Sequence, residues 1–357
     1  MGDNVNISPL ATQAAERYLE TVRKSKDPSF FPVLFFCNLN LFSWHIKAFE
    51  EDHDPTNEFV ERFNKASNLI SAVFDSGISV ASIEYKPKNT EPSANFESKV
   101  SNLFSDVWVD MTDDIYFDQS FEYTCERLEK NGIDPNELFR DKLVVDAGCG
   151  SGKFSATIAK LGAKKVVGVD IGEKGIKFAR KQAKKKSYGE KIEYRVANLL
   201  ELPFEANSVD MVWSNGVIHH TTNYEKCIQE FSRVTRPGGG LFLYVNGRFG
   251  LFELLQDTIR KSMEGVPREI FQLYLHTLGV NSGRLYWLMD CCFAPYEWKS
   301  EKEVISLLEG CGYGNIKKLK RGVEIDQIEK ISTGLPFAKL KYGEGQLKFL
   351  CELMEDV

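Results

Sequence analysis

Apolar and polar positions change period along this chain of 357 residues. Over 9–25, 32–50 and 56–75 the apolar residues recur at helical spacing, with Pro9, Pro32 and Pro55 placed near three helix starts. Lys86 to Asn95 is rich in turn formers and poor in apolar residues, which marks a linker or a long surface loop. Residues 1–95 are therefore expected to form a helical N-terminal extension with its linker, and 96–357 a second domain. In that second part short apolar runs near 143–146, 166–170, 192–196, 209–214 and 240–246 alternate with helical patterns, the signature of an α/β sheet. Ser300-Glu-Lys-Glu303 is a capping box for a helix ending near Gly310, and 315–321 and 346–354 can each add a strand. Most connections in compact domains run to about 4–6 residues, so the aromatic segment 249–299 predicts a helical insertion after the fifth strand and a candidate lid.

Chemistry enters where the first strand stops. Leu143-Val-Val-Asp146 runs into Ala-Gly148-Cys149-Gly150-Ser-Gly152, a buried strand meeting three glycines spaced two apart. Such a turn lets backbone approach a ligand where a Cβ would collide. A second apolar strand ends at Asp170, where a doubly wound sheet places the acid that holds a ribose diol. The spacing is neither the dinucleotide G-x-G-x-x-G nor a P-loop.

Asp-x-Gly-x-Gly-x-Gly resembles motif I of the class I S-adenosylmethionine (SAM) methyltransferases. The likeness continues in order through Asp170, Ala197-Asn198-Leu199, Asp210 to Gly216, and Arg236-Pro-Gly-Gly-Gly240, covering roughly 100–320. It implies a doubly wound, Rossmann-like, seven-stranded and mostly parallel sheet. It also implies SAM as cofactor, S-adenosylhomocysteine (SAH) as product, and no metal. The cofactor positions it suggests are Asp146, Gly148, Cys149, Gly150, Gly152, Asp170, Ile171, Asn198, Leu199 and Asn215. Asn198 replaces the acid often found there, though its amide oxygen can still accept from an adenine amino group. Cys149 reads as a small packing residue whose backbone N–H faces the ligand rather than as a nucleophile. In similar enzymes the region holding Tyr116 and Phe117 closes over the cofactor, so either ring could touch its methionine end; packing against the sheet is the plainer reading.

Methyl transfer is an in-line displacement in which positioning supplies much of the acceleration. A hydroxyl or ammonium acceptor must also lose a proton, for which a base near neutrality helps. His219 and His220 follow the fourth strand and are the catalytic candidates, against a structural role as wall or cap. Ser214-Asn-Gly-Val stands where base-amino methyltransferases carry an Asn/Asp-Pro-Pro-Tyr-type motif, and no glutamate pair follows it as in protein arginine methyltransferases. A small metabolite accepting at O, N, S or activated carbon is thus expected, as in the quinone-biosynthesis group. The alternatives are an RNA or protein methyltransferase, or a SAM-binding regulatory scaffold without turnover. Asn246, Arg248, Trp287, Tyr296 and Trp298 are the substrate candidates, and Arg248 suits an anionic group.

Composition adjusts this picture slightly. Net charge of −6 disfavours a nucleic-acid partner, and the basic run from Lys174 to Lys191 reads as a solvated helix face. Eight scattered cysteines without a C-x-x-C pair suggest reduced thiols and neither a zinc site nor a disulfide framework. The start Met-Gly-Asp-Asn lacks a secretory pattern, and Phe30 to Phe49 is interrupted by polar residues and is expected to fall short of a membrane span, so a cytoplasmic protein without a membrane partner is expected. The N-terminal extension is assigned to the substrate pocket or a homodimer contact.

Overall fold

The computed structural model describes residues 7–25, 27–76 and 114–355, with no side-chain description for 114–116 and 282. The linker at 86–95, Trp108 and the side chain of Tyr116 lie outside what is described. The chain divides into two compact units. One comprises Met1–Ser93, Arg248–Ala294 and Thr333–Gly343; the other comprises Ala94–Gly247, Pro295–Ser332 and Glu344–Val357.

The second unit is built on a seven-stranded sheet: β1 Leu143–Ala147, β2 Lys165–Asp170, β3 Ile192–Val196, β4 Val209–Asn215, β5 Thr235–Asn246, β6 Tyr313–Lys318 and β7 Gln346–Leu353. Their order is β3-β2-β1-β4-β5-β7-β6. β1 to β5 pair in parallel, while β7 runs antiparallel to both β5 and β6. The unbroken apolar run of β1 follows from burial on both faces: Val145 and Ala147 join one core, Val144 the other. On the second face Trp213 stacks on Phe242 at 3.7 Å. Truncating Trp213 to alanine would cost about 3–5 kcal/mol.

β5 starts earlier than its apolar pattern shows, at Thr235, because Thr235 pairs with Val209 ahead of an irregularity before the pairing resumes at Met211 with Gly240. Arg236-Pro-Gly-Gly-Gly240 is therefore inside the strand. β6 begins before the expected 315, since Tyr313 and Gly314 pair with Leu353 and Glu352. The capping box at Ser300 and Glu303 is present and starts a helix that ends at Gly310.

The first unit is helical. α1 (Pro9–Lys24), α2 (Phe31–Ala48) and α3 (Thr56–Asp75) pack with three helices of the segment after β5: Leu251–Ser262, Arg268–Thr277 and Ser282–Phe293. The insertion's rings find their partners there. Phe35 meets Phe271 at 4.9 Å and Phe42 meets Trp287 at 4.9 Å. A buried network adds direction: Tyr18 Oη donates to Asn38 Oδ1 (2.7 Å) and Asn38 Nδ2 to Ser262 Oγ (3.1 Å). The expected domain plan is changed accordingly, because 248–294 groups with the N-terminal helices and only 295–299 of the insertion with the sheet. By length and composition Pro28–Ala48 is long and apolar enough to cross a membrane, contrary to the expectation from its polar interruptions. Nine residues of α2, Leu34 and Trp44 among them, are nonetheless buried within the protein.

Candidate functional site

The site is assembled at the carboxyl ends of β1, β2, β4 and β5. After β1 the chain turns through Gly148, Gly150 and Gly152, all at positive φ (82°, 51° and 82°). Gly148 also has no room for a side chain: a Cβ would lie 2.4 Å from Val217 Cγ1. The N–H groups of Gly148 and Cys149 both donate to Val169 O, at 2.8 and 3.0 Å. This corrects one expectation, because the Cys149 N–H is held by the neighbouring strand and does not face a ligand. Burial pushes the Cys149 thiol well above its usual range, as an unreactive packing residue requires.

The two acids differ in duty. Asp170 Oδ2 accepts from Gly150 N (2.9 Å) and Oδ1 from Gly172 N (2.8 Å), so this carboxylate ties the glycine turn to the end of β2. Desolvation raises its pKa and those N–H groups oppose the rise. Asp146 is 1% exposed and takes the Ser155 hydroxyl at 2.6 Å. Desolvation first, then the charge of Asp170, pushes it up to about 7 despite the bond from Ser155. Ser155 was not singled out from sequence; its signal is a hydroxyl nine residues after the acid, one turn into the helix Lys153–Lys160.

Around the turn, Leu199 is buried, and Asn198 Oδ1 accepts from Leu200 N at 3.0 Å. Ile171 is half-buried directly after Asp170, and Asn215 closes β4 opposite Tyr244 of β5. Two hydroxyls missed in the sequence stand out: Ser151 in the glycine turn and Ser214 near the end of β4 are fully buried, with no hydrogen-bond partner among the described residues. A ligand with polar groups at this edge would satisfy them.

Beyond β4, His219 and His220 are 3% and 7% exposed in a short 3₁₀ turn, Ile218–His220. They hold the strap that begins at Pro295. Glu297 N donates to His219 O (2.9 Å), and His220 Nδ1 lies 2.8 Å from Pro295 O. A carbonyl only accepts, so Nδ1 carries the proton and Nε2 is the basic nitrogen of the neutral ring. The strap brings in two candidates: the Tyr296 ring lies 4.5 Å from His219 and 4.6 Å from Trp298. Asn246 takes the Tyr244 hydroxyl at 3.0 Å and donates to Tyr296 Oη. Tyr244, which no sequence pattern marks, thereby joins Asn246 and Tyr296 in one hydrogen-bonded chain.

Arg248 and Trp287 belong to the helical unit. Arg248 Nε lies 3.4 Å from Glu253 Oε1, and the Arg284 guanidinium sits 4.1 Å from the centre of the Trp287 ring. The structure thus gathers Asn246, Tyr296 and Trp298 with the histidines in the sheet unit, and places Arg248 and Trp287 in the helical unit. Phe117 is buried in the sheet unit, with Lys186 Nζ 5.9 Å from its ring. Among the described residues no group of three or more His, Cys, Asp or Glu is arranged to hold a metal ion.

Comparison with known proteins agrees with the turn and its surroundings. Residues 145–243 match the family described as "Methyltransferase domain". The 27-O-demethylrifamycin SV methyltransferase of Amycolatopsis mediterranei is 28% identical over 54% of this chain and 75% of its own length. The chloroplastic tocopherol O-methyltransferase of Arabidopsis thaliana is 28% identical over 42% of this chain and 47% of its own. The mitochondrial ubiquinone biosynthesis O-methyltransferase of Dictyostelium discoideum is 33% identical over 34% and 42%. The chain thus spans less than half the length of the latter two.

Proposed function

We infer that this protein, whose residues 145–243 match a methyltransferase domain, is a class I SAM-dependent methyltransferase that transfers a methyl group from SAM to a small metabolite. The observation that carries the reading is the pairing of Asp170 with the positive-φ glycine turn, beside the unsatisfied buried hydroxyls of Ser151 and Ser214. These residues fit SAM: Asp170 would hold the ribose diol, Leu199 and Asn198 flank the adenine, and Asn215 with the two serines would meet its polar groups. The bound cofactor supplies a methyl group already activated on a sulfonium sulfur.

The protein's own work is then to bind, orient and exclude water. Ser155 bonds the Asp146 carboxyl that precedes the turn, and Val217 fills the space beside Gly148 within it. His220 latches the strap, and Tyr244, Asn246, Tyr296 and Trp298 form the wall we assign to the acceptor. The acceptor class is supported by the rifamycin, tocopherol and ubiquinone relatives, whose names all specify small-molecule O-methylation. The pairing of Arg248 with Glu253 weakens the case for an anionic acceptor recognised by that arginine. Free cysteines, six of them buried, support a reducing compartment.

The test is SAH release. Purified protein given SAM and a fractionated metabolite extract is expected to release SAH only with certain fractions, and Asp170→Ala to release little. SAM binding without release under any fraction would favour a scaffold that retains the cofactor and has lost turnover.

A further inference from the structure

We propose that Lys348, with Arg127 and Asp326, is a positioning group for the methyl acceptor, acting through Tyr244 so that an acidic hydroxyl, a phenol or an enol, is held as its oxyanion. The inference rests on reading the sheet unit as a methyltransferase. Lys348 on β7 pairs in register with Tyr244 on β5, and opposed side chains of an antiparallel pair share a face. Its Nζ lies 5.3 Å from the centre of the Tyr244 ring.

The cluster below that ring is charge-unbalanced. Arg127 grips Asp326 with two bonds, Nε to Oδ2 at 2.7 Å and Nη2 to Oδ1 at 2.8 Å, which already engages both oxygens. Lys348 Nζ adds a third bond to Oδ2 at 2.7 Å. Two cations thus share one carboxylate, and Lys348 and Asp326 are 3% and 2% exposed. The Arg127 side chain is 20% exposed, so the buried surplus rests on Lys348, whose ammonium pKa is lowered to about 8 by burial and by Arg127 and which gains from groups nearby that stabilise its charge. The Tyr244 ring face is the first such group, and the hydrogen-bond chain above it is the second.

That chain has one direction. The Tyr244 hydroxyl donates to Asn246 Oδ1, and Asn246 Nδ2 donates to Tyr296 Oη, so each hydrogen points away from Lys348 and toward the strap. A cation at the start of an aligned chain strengthens donation along it. Its far end, at the carboxyl edge of β5 beside His219 and His220, then favours negative charge on an acceptor oxygen. The charged and titratable groups facing this path are Asp326 and Arg127 at Lys348, His219 at Tyr244, and both histidines at Tyr296. Glu297, next on the strap, is taken by Lys299 at 2.6 Å. An acceptor bound as its oxyanion needs no separate base, which agrees with histidines used as latch and wall.

The probe is 4-nitrophenol, whose ionised form absorbs visible light, titrated by pH in the SAH-saturated protein. Its ionisation is expected to fall by about one pH unit or more on binding, a tenfold preference for the phenolate. Lys348→Met and Tyr244→Phe should both abolish the shift, and Lys348→Arg should retain it, while calorimetry gives unchanged SAH affinity in all three. If Lys348→Met does not fold, Tyr244→Phe decides alone. A cluster that only braces the fold would lower Tm in Lys348→Met and leave the shift in place. No binding of nitrophenol, an unshifted ionisation in the wild type, or a shift that survives Tyr244→Phe overturns the proposal. Failure of the wild type to bind SAH would instead overturn the methyltransferase reading.

Discussion

Replacing Asp146 by asparagine should flatten the dependence of stability on pH. Asp146 is buried beside the glycine turn, with an ionisation pushed from 3.8 to about 7. Below the unfolded value both states are protonated and the group contributes no slope. As pH rises from there, the unfolded chain loses the proton while the folded chain keeps it, so folding stability falls until the folded group ionises as well. Roughly three pH units at about 1.4 kcal/mol each give a loss on the order of 4 kcal/mol between pH 4 and pH 7. The asparagine side chain would keep the shape and an acceptor for the Ser155 hydroxyl without the ionisation. Urea denaturation of the cofactor-free protein, followed at several pH values, should therefore show wild-type stability declining toward neutrality relative to Asp146→Asn. Ser155→Ala removes the bond that favours the charged form and should extend the decline to higher pH. Parallel curves for wild type and Asp146→Asn would refute the argument that burial holds this carboxyl in its neutral form.

The other expectations concern cofactor and strap. Asp170→Ala removes an acceptor that holds the turn and, on our reading, the ribose; losing even one charge-assisted bond of about 1.5–3 kcal/mol should weaken SAH binding at least tenfold by calorimetry. Gly148→Ala must place a Cβ 2.4 Å from Val217 at φ of 82°, an expected cost of about 2–4 kcal/mol in denaturation. Adding Val217→Ala should recover only the packing part of that cost. His220→Phe breaks the latch to Pro295 O, worth about 1 kcal/mol, and should raise the acceptor KM about fivefold while SAH affinity holds. Arg248→Ala loses a half-exposed pair with Glu253 and a contact over the Phe249 ring, and should change stability by about 1 kcal/mol or less. A large rise in acceptor KM in Arg248→Ala would return that residue to the substrate site.

What could be read from the sequence was local. Short apolar runs, two of them ending in an acid, mark the parallel strands, and the glycine turn with Asp170 marks the cofactor edge, because each depends on residues within one strand-turn-helix unit. The helical insertion was visible by its length and rings, yet its partners were not. Phe271 and Trp287 pack on Phe35 and Phe42, more than 200 residues earlier, and periodicity carries no address for such a contact. The same holds for Arg127, Asp326 and Lys348, three isolated charges until the sheet closes, and for Tyr244, which reads as an ordinary strand residue. The Cys149 N–H finds Val169 O on the neighbouring strand β2, a tertiary partner that no local pattern shows. Adjacent histidines suggest a base from sequence; that His219 O and His220 Nδ1 also hold the strap at Glu297 and Pro295 is a tertiary feature no local pattern carries.

The most direct measurement follows the methyl group itself. Protein incubated with methyl-labelled SAM and a total cell extract is separated into acid-precipitable macromolecules and an acid-soluble fraction. Label is expected in small molecules of the soluble fraction, dependent on Asp170 and accompanied by SAH; label confined to precipitated RNA or protein, or none above the Asp170→Ala background, would contradict methyl transfer to a metabolite.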